Sequence, residues 1–312
     1  MALSSQFKAG LAMAMGSVII GAMQPVVFRY GATRIDPLLY CAGASLGAGV
    51  FALVMLAIRG ELAPLVSRRY APRLIVLSIS GTVITGLTLA YGLHYLGAVA
   101  AVLLMQIEPV YSLILARLFA AERPAFRQLA ATGVILAGIG SVLFGQHASF
   151  TPLWAAAMLL ATPLFWQIGH VISLTAMPPL SPICISGARY IYGGIILPIS
   201  LIAIDPRALG GLADPTAIAV IIFTGVFIYF CGALTWYGAI SRLSLSWTTA
   251  IVVPGVPVLS IIFALLFLGE RATIREMIGI AIAAGGVLGL IMLAPAERAG
   301  PETLEAIHQP LV

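Results

Sequence analysis

The stretch PVYSLILARLFAAERPAFR at residues 109–127 recurs as PVLSIIFALLFLGERATIR at residues 257–275. Ten of the nineteen positions are identical at a constant offset of 148 residues. A shared apolar composition explains the matching leucines, isoleucines and alanines. It does not explain a proline, a Glu-Arg pair and a later arginine in the same register. The chain therefore carries an internal repeat, with one copy of the unit in each half.

Both copies lie in a chain that is too apolar for a soluble fold. Of its 312 residues, 61% are hydrophobic and 9% are charged, whereas soluble domains have about 45–50% and about 25%. This composition excludes an ordinary soluble enzyme and a disordered chain. The 16 basic residues are spread along short connections, so we expect no nucleic-acid partner. The composition indicates a polytopic protein of the lipid bilayer.

Ten apolar stretches are long enough to cross a bilayer. They cover residues 8–28, 38–58, 73–94, 98–119, 127–145, 152–174, 182–204, 216–239, 245–268 and 274–293. The first stretch is longer than the core of a signal peptide, and no cleavage pattern follows it, so we interpret it as the first span. The sequence predicts an all-α membrane protein.

The repeat divides this chain into residues 1–149 and 150–293, followed by a polar C-terminal tail at 294–312. Each half holds five of the predicted spans. Because five is odd, the two halves must enter the membrane in opposite orientations. The sequence therefore predicts ten transmembrane helices arranged as two inverted five-helix repeats. That architecture is typical of transporters, with the substrate site near the midplane between the halves.

The basic residues predict the orientation. With a cytoplasmic N-terminus, eleven of them lie inside, which agrees with the excess of positive charge on cytoplasmic loops. The five that lie outside are Arg29, Arg34, Arg207, Arg271 and Arg275. We therefore expect a multi-pass protein of the plasma (inner) membrane with both termini in the cytoplasm, as a monomer or a homodimer.

The repeated unit resembles the EamA-type ten-helix members of the drug/metabolite transporter superfamily. The resemblance rests on an apolar helix with a central proline that ends in Glu-Arg, followed by a glycine-rich helix. This unit occurs from Pro109 to Arg123 and again from Pro257 to Arg271. The resemblance covers residues 8–293. It implies ten helices, cytoplasmic termini and transport of small metabolites, often export of amino acids or related compounds.

Glu108 is the sharpest functional signal. It lies about halfway along the fourth span, and the second copy has Val256 in its place. An ionisable group at that depth costs about 2.5–3.5 kcal/mol to insert, so it should face a cavity or a partner. We interpret it as a group that binds a substrate amine or exchanges a proton, with a carboxyl hydrogen-bonded between helices as the alternative.

Prolines occur in the helices that hold the two copies of the repeated stretch. Pro109, Pro254 and Pro257 each remove a backbone hydrogen bond, and broken helices at matching positions indicate a substrate site. We therefore name these three, with Pro25 of the first span, as helix-break or gating residues. A static kink that only serves packing is the alternative.

A second group of polar and aromatic residues is predicted to line the same site. It comprises Gln24 in the first span and Trp166, Gln167 and His170 in the sixth. Gln167 and His170 are three residues apart and share a helix face. His170 is either a pH-sensitive group or a hydrogen-bond partner of another helix.

Two further features leave a choice between binding and anchoring. Tyr91 and His94 end the third span, where aromatic residues usually anchor a helix at the membrane interface; the alternative is that they line the pore. Arg189 lies where the family often has an arginine, but the matching position of the first half is Ala44. It either extends its charge to the interface or attracts an anion.

The sequence thus favours a secondary transporter of small metabolites such as amino acids, with export as the expected direction. Proton coupling through Glu108 is a hypothesis. An uncoupled, channel-like facilitator is one alternative, and an intramembrane enzyme acting on lipids is another. The enzyme is disfavoured because the sequence shows no cluster of acids or Ser-His pair with a supporting acid. The three cysteines have no metal-ligand spacing and no nucleotide-binding motif is found, so we expect no cofactor.

Overall fold

A computed structural model describes residues 5–119, 126–143, 152–176, 180–240, 242–243 and 245–293. Within these ranges the chain is helical, and helices occupy each of the ten apolar stretches. The fourteen α-helices are α1 Ser5–Arg34, α2 Pro37–Arg59, α3 Ala63–Val66, α4 Ala71–Ser78, α5 Thr85–Tyr95, α6 Ala98–Met105, α7 Glu108–Phe119, α8 Phe126–Leu143, α9 Leu153–Ala176, α10 Pro182–Ile204, α11 Pro215–Phe223, α12 Gly232–Ile240, α13 Leu245–Phe263 and α14 Ile274–Leu293. The predicted tail at 294–312 lies outside the described residues.

Three π-helices and one 3₁₀-helix complete these elements. The π-helix Ile79–Ile84 joins α4 to α5, and the π-helix Thr224–Cys231 joins α11 to α12. A third, Ala264–Leu268, continues α13, and the 3₁₀-helix Pro206–Ala213 follows α10. The first two occupy the same place in their halves, inside the third apolar stretch of each. π-Helices often mark functional sites because they displace side chains from the regular helical register.

Six helices in the described part of the chain are long and apolar enough to cross a membrane. Three more are apolar but shorter. Large apolar side chains cover their outer faces, for example Val54 and Ile199, which are 53% and 62% exposed. Exposure of this kind suits hydrocarbon rather than water. The full count of ten spans stays a prediction.

Two ends of the helix bundle are defined by cross-chain contacts. The Glu270 end comprises residues 29–35, 94–99 and 269–273, where the Arg29 guanidinium donates to the carbonyl of His94 over 2.6 Å. The Glu61 end comprises residues 10–13, 59–66, 181–184 and 242–243, where the Ser181 hydroxyl donates to Glu61.

Two pairs of corresponding helices run in opposite directions between these ends. Helix α1 finishes at the Glu270 end, whereas α9 begins there, because the rings of Trp154 and Tyr95 meet at a centroid distance of 4.6 Å. Helix α2 finishes at the Glu61 end, whereas α10 begins there at Ser181.

Packing joins helices of different halves. Helix α2 lies along α10, α8 along α14, and α1 against α12 and α13. The core is largest near the Glu270 end, where Phe28, Tyr40 and Leu93 are fully buried. The rings of Phe28 and Tyr40 meet edge to face at 5.2 Å, and the Tyr40 hydroxyl lies 2.8 Å from that of Thr224 in the other half. These contacts leave a space between the halves at mid-height, which is the candidate site.

Candidate functional site

A cavity of about 330 Å³ lies at the middle of the bundle. Its walls come from both halves: α1, the π-helix Ile79–Ile84, α5, α6 and α7 on one side, and α9, α10, the π-helix Thr224–Cys231, α12 and α13 on the other. Its volume falls at the small end of the range for small-molecule sites, about 300–1,000 Å³. It can therefore hold a metabolite of a few heavy atoms to about the size of an aromatic amino acid.

Five of the residues predicted from sequence line this cavity. They are Gln24, Pro25, Glu108, Trp166 and Pro257. They come from α1, α7, α9 and α13, so residues far apart in the sequence meet at one depth in the bundle.

A hydrogen bond joins the side chain of Gln167 in α9 to the Glu108 carboxyl in α7. The Gln167 amide donates to Glu108 Oε1 over 2.8 Å. Glu108 is the first residue of α7, and the chain between α6 and α7 is a turn at Gln106 and Ile107. Because Pro109 occupies the first turn of α7, its missing amide costs that helix no hydrogen bond. The break in the fourth apolar stretch therefore lies beside the cavity.

The second proline helix differs from the first. Helix α13 runs without interruption from Leu245 to Phe263, through both Pro254 and Pro257. Of the two helix breaks expected at matching positions, the described part of the chain therefore shows only the one in the first half. Near Pro257, the Ser260 hydroxyl donates to the carbonyl of Ala22 over 3.0 Å, and this bond ties α13 to α1. The side chain of Pro254 lies outside the described part of the chain, as does that of His170 in α9.

Tyr91 and His94 do not line the cavity. The His94 ring binds the carbonyl of Ala32 through Nδ1, at the Glu270 end. The same ring packs against Tyr95 at a centroid distance of 4.6 Å. His94 is held there because α5 ends where α1 ends, beyond the aromatic cluster of Phe28 and Tyr40.

Arg189 corrects the interpretation favoured from sequence. A side chain that extended to the membrane interface would be exposed, but Arg189 is 8% exposed and lines the cavity. Its Nη2 donates to the carbonyl of Gly81. The π-helix that contains Gly81 carries the cavity wall close to α10, so the guanidinium points inward. Its departure from Ala44 in the repeat was the signal in the sequence.

Aromatic residues that the sequence analysis did not select form another wall. Tyr190, Tyr229 and Trp236 line the cavity. The rings of Tyr190 and Tyr229 stack at 5.1 Å with an interplanar angle of 17°. Their position follows from the π-helix Thr224–Cys231, which hydropathy does not show. Together with Trp166 they give the cavity flat apolar faces beside its polar groups.

The Glu270 end closes the bundle above this cavity. The Glu270 carboxylate accepts from the backbone amides of Ala98 and Val99 over 2.9 and 3.1 Å. It also pairs with Arg29 at 3.6 Å. The carboxylate therefore joins three segments: the end of α1, the start of α6 and the loop after α13. Its partner in the first copy of the motif, Glu122, lies outside the described residues.

The cavity offers charge of both signs. Glu108 supplies a carboxyl and Arg189 a guanidinium, while serine, threonine and glutamine side chains add neutral donors and acceptors. Within the described ranges, no group of three or more His, Cys, Asp or Glu side chains could hold a metal ion. The cavity thus combines polar and charged groups with apolar faces.

Comparisons with known proteins show that the chain is similar to transporters. The sequence model of the EamA-like transporter family matches residues 8–144 and again residues 153–292. An uncharacterized transporter of Archaeoglobus fulgidus is 26% identical over 212 residues, which are 67% of this chain and 73% of that protein.

A second relative carries a more specific name. A "Probable terminal-alkyne amino-acid exporter" of Streptantibioticus cattleyicolor is 29% identical over 259 residues, covering 79% of this chain and 82% of the exporter. A crystal structure with 15% sequence identity superposes with a TM-score of 0.65 and covers 92% of this chain and 98% of its own. That last likeness concerns the fold alone.

Proposed function

Because the chain belongs to the EamA-like transporter family, we propose that it is a secondary transporter that exports small metabolites such as amino acids across the inner membrane. The observation that carries this proposal is the mid-height cavity lined by both halves, with Glu108 in its wall. Family and relatives alike are described as transporters rather than enzymes.

In the proposed mechanism, ten membrane helices form two inverted repeats, residues 1–149 and 150–293, with both termini in the cytoplasm. Three observations support this arrangement. Helices α1 and α9 run in opposite directions, as do α2 and α10, and a π-helix occurs at the same place in each half. One half then rocks against the other around the cavity, which exposes it to each side of the membrane in turn.

The Glu270 end is the proposed outer gate. Arg29, Arg271 and Arg275 belong to the predicted outside set of basic residues, and Glu270 lies among them. To open the cavity at this end, the contacts of Glu270 with Ala98 and Val99 must break or move together. These bonds favour the outwardly closed state.

Glu108 is the residue proposed to bind the positively charged group of the substrate. A carboxylate in the wall of the cavity can bind a substrate ammonium group or a proton. A name given to one relative, an amino-acid exporter, supports a substrate that carries such a group. Gln24 and Trp166 line the same cavity, and a role for His170 stays a prediction from the sequence.

The test uses the full chain in proteoliposomes loaded with labelled amino acids. We expect the wild-type protein to exchange amino acids by counterflow and to drive net transport with a pH gradient. Glu108→Gln should lose the pH-driven component if the carboxyl carries the proton, and counterflow as well if it binds the amine. Glu61→Gln removes a carboxylate outside the cavity and serves as the matched control.

The outcomes separate the alternatives. A flat pH dependence with intact counterflow indicates the uncoupled facilitator. Unchanged transport by Glu108→Gln in both assays removes this residue from the mechanism. If none of the twenty amino acids exchanges, the proposed substrate class is wrong.

A further inference from the structure

Arg189 is a buried cation without an anion beside it. The residue is 8% exposed, and the described part of the chain contains no carboxylate within 4.0 Å of its guanidinium. Its Nη2 donates to the Gly81 carbonyl, while its Nε has no hydrogen-bond partner. Burying a guanidinium without a counter-ion is unfavourable, because no other charge replaces the hydration that the group loses. The protein would not hold one in a cavity wall unless something else provides the negative charge.

The position of this cation is fixed by its surroundings. A Cβ built on Gly81 would lie 3.0–3.1 Å from Nη2, Cζ and Nε, so the guanidinium lies flat against the glycine. The backbone carbonyl of Arg189 accepts from the Ser78 hydroxyl over 2.6 Å. The first contact restricts the side chain and the second fixes the backbone that carries it, and a restricted donor binds a ligand with less loss of entropy.

A second unsatisfied donor stands beside it. Thr82 follows Gly81 in the π-helix, lines the cavity and is 3% exposed. Its hydroxyl has no hydrogen-bond partner. Buried polar groups are nearly always paired, so two unpaired donors at neighbouring places in the cavity wall mark this part of the wall as a candidate place for a ligand oxygen.

Helix packing alone does not require an arginine here. The repeat relates this crossing to the one where α2 meets the π-helix Thr224–Cys231. There a Cβ built on Gly225 would collide with the carbonyl oxygen of Ala44. The two backbones touch there with a small residue between them. Arg189 replaces that residue in the second half, which adds a charge to the cavity that the matching contact does without.

We propose that Arg189 and Thr82 form a subsite for the carboxylate of the transported molecule. This inference rests on the proposed function, because it assumes that the cavity is the substrate site. The guanidinium binds a carboxylate oxygen through its free N–H groups, and the threonine hydroxyl donates to the same group. Glu108 lies in another part of the wall, so the cavity matches a small zwitterion with its carboxylate at Arg189 and its ammonium at Glu108.

The experiment measures binding to the purified full-length protein by thermal shift. The probes are matched sets: leucine, isoamylamine and 4-methylpentanoate, and phenylalanine, phenethylamine and 3-phenylpropanoate. Both amino acids and both acids should stabilise the wild-type protein, and the two amines, which lack the carboxylate, should stabilise it less than the amino acids. Ligands that bind the native state raise its melting temperature by mass action.

Variants locate the effect. Arg189→Gln should weaken binding of the carboxylates about tenfold or more, and Thr82→Val by a few-fold, since charged hydrogen bonds exceed neutral ones. Arg189→Lys keeps the charge and guards against a variant that fails to fold. Arg59→Gln removes an exposed cation outside the cavity and should leave every probe unchanged.

Three results overturn the proposal: equal stabilisation by the amines, carboxylate binding that Arg189→Gln and Thr82→Val leave unchanged, or no stabilisation by any carboxylate. The proposed function fails separately, because carboxylates that bind but do not cross proteoliposomes contradict transport and leave the subsite intact. Transport that survives in Arg189→Gln with unchanged affinity contradicts the subsite and leaves transport intact.

Discussion

Removal of the Glu270 carboxylate tests how the halves are joined at the Glu270 end. Helix α6 begins at Ala98, and its N-cap residue Gly97 provides no side chain to bind the first amides. The carboxylate supplies this cap from 172 residues along the chain. A Cβ on Gly97 would lie 2.9 Å from Glu270 Oε2, so glycine is needed for the approach. We predict that Glu270→Ala frees the first turn of α6.

The expected magnitude follows from three contributions. Loss of an N-cap costs about 1 kcal/mol, and loss of a negative charge at a helix N-terminus costs about 0.5 kcal/mol. The partly exposed ion pair with Arg29, at 3.6 Å, adds about 0.5 kcal/mol. Together they amount to about 2 kcal/mol, which corresponds to an opening equilibrium about 30-fold larger.

Hydrogen exchange with mass spectrometry measures this opening. A peptide covering residues 96–105 should exchange about 30-fold faster in Glu270→Ala than in the wild-type protein. Glu276→Ala is the matched control, because Glu276 caps α14 by accepting from the amide of Thr273 over 2.8 Å. It should speed exchange in α14 and leave α6 unchanged. An acceleration in α6 below about threefold, or an equal one in Glu276→Ala, refutes the reasoning.

Three further changes test other contacts. The hydrogen bond from Ser181 holds the pKa of Glu61 below its ordinary value, so the carboxylate stabilises the fold at neutral pH and ceases to do so as the pH falls; the melting temperatures of the wild type and Glu61→Gln should differ at pH 7 and converge below about pH 3. Gly81→Ala places a methyl group 3.0 Å from the Arg189 guanidinium and should weaken carboxylate binding several-fold in the same thermal-shift assay, and unchanged affinity would contradict the fixed position. Tyr40→Phe deletes a buried hydroxyl pair of 2.8 Å between the halves, which should lower the free energy of unfolding by about 1 kcal/mol and the melting temperature by about 2–4 °C.

Much of the architecture could be predicted because hydrophobicity and repetition are local properties of the sequence. Helices occupy each predicted apolar stretch, although the third, fourth and eighth stretches are each divided between two α-helices. Glu108, which precedes the first copy of the repeat, could be selected from the sequence because a carboxyl in an apolar helix needs a polar neighbour. Glu108 met Gln167 of another helix as a result.

Other features depend on packing that the sequence does not encode locally. The π-helices shift the register of side chains, and a hydropathy pattern does not show that shift. The inward position of Arg189 and the wall formed by Tyr190 and Tyr229 were therefore not predicted. The cap of α14 was readable as Thr273 followed three residues later by Glu276. The cap of α6 was not, because its carboxylate comes from the other half.

That distant cap has a consequence for biosynthesis. Glu270 is made 172 residues after Ala98, which at about 5–20 residues per second is roughly 10–30 s of translation. During this interval the first amides of α6 lack the carboxylate that caps them. The first half therefore reaches its native contacts only after almost all of the second half has been synthesised. The order of synthesis therefore makes the later half the one that completes the earlier.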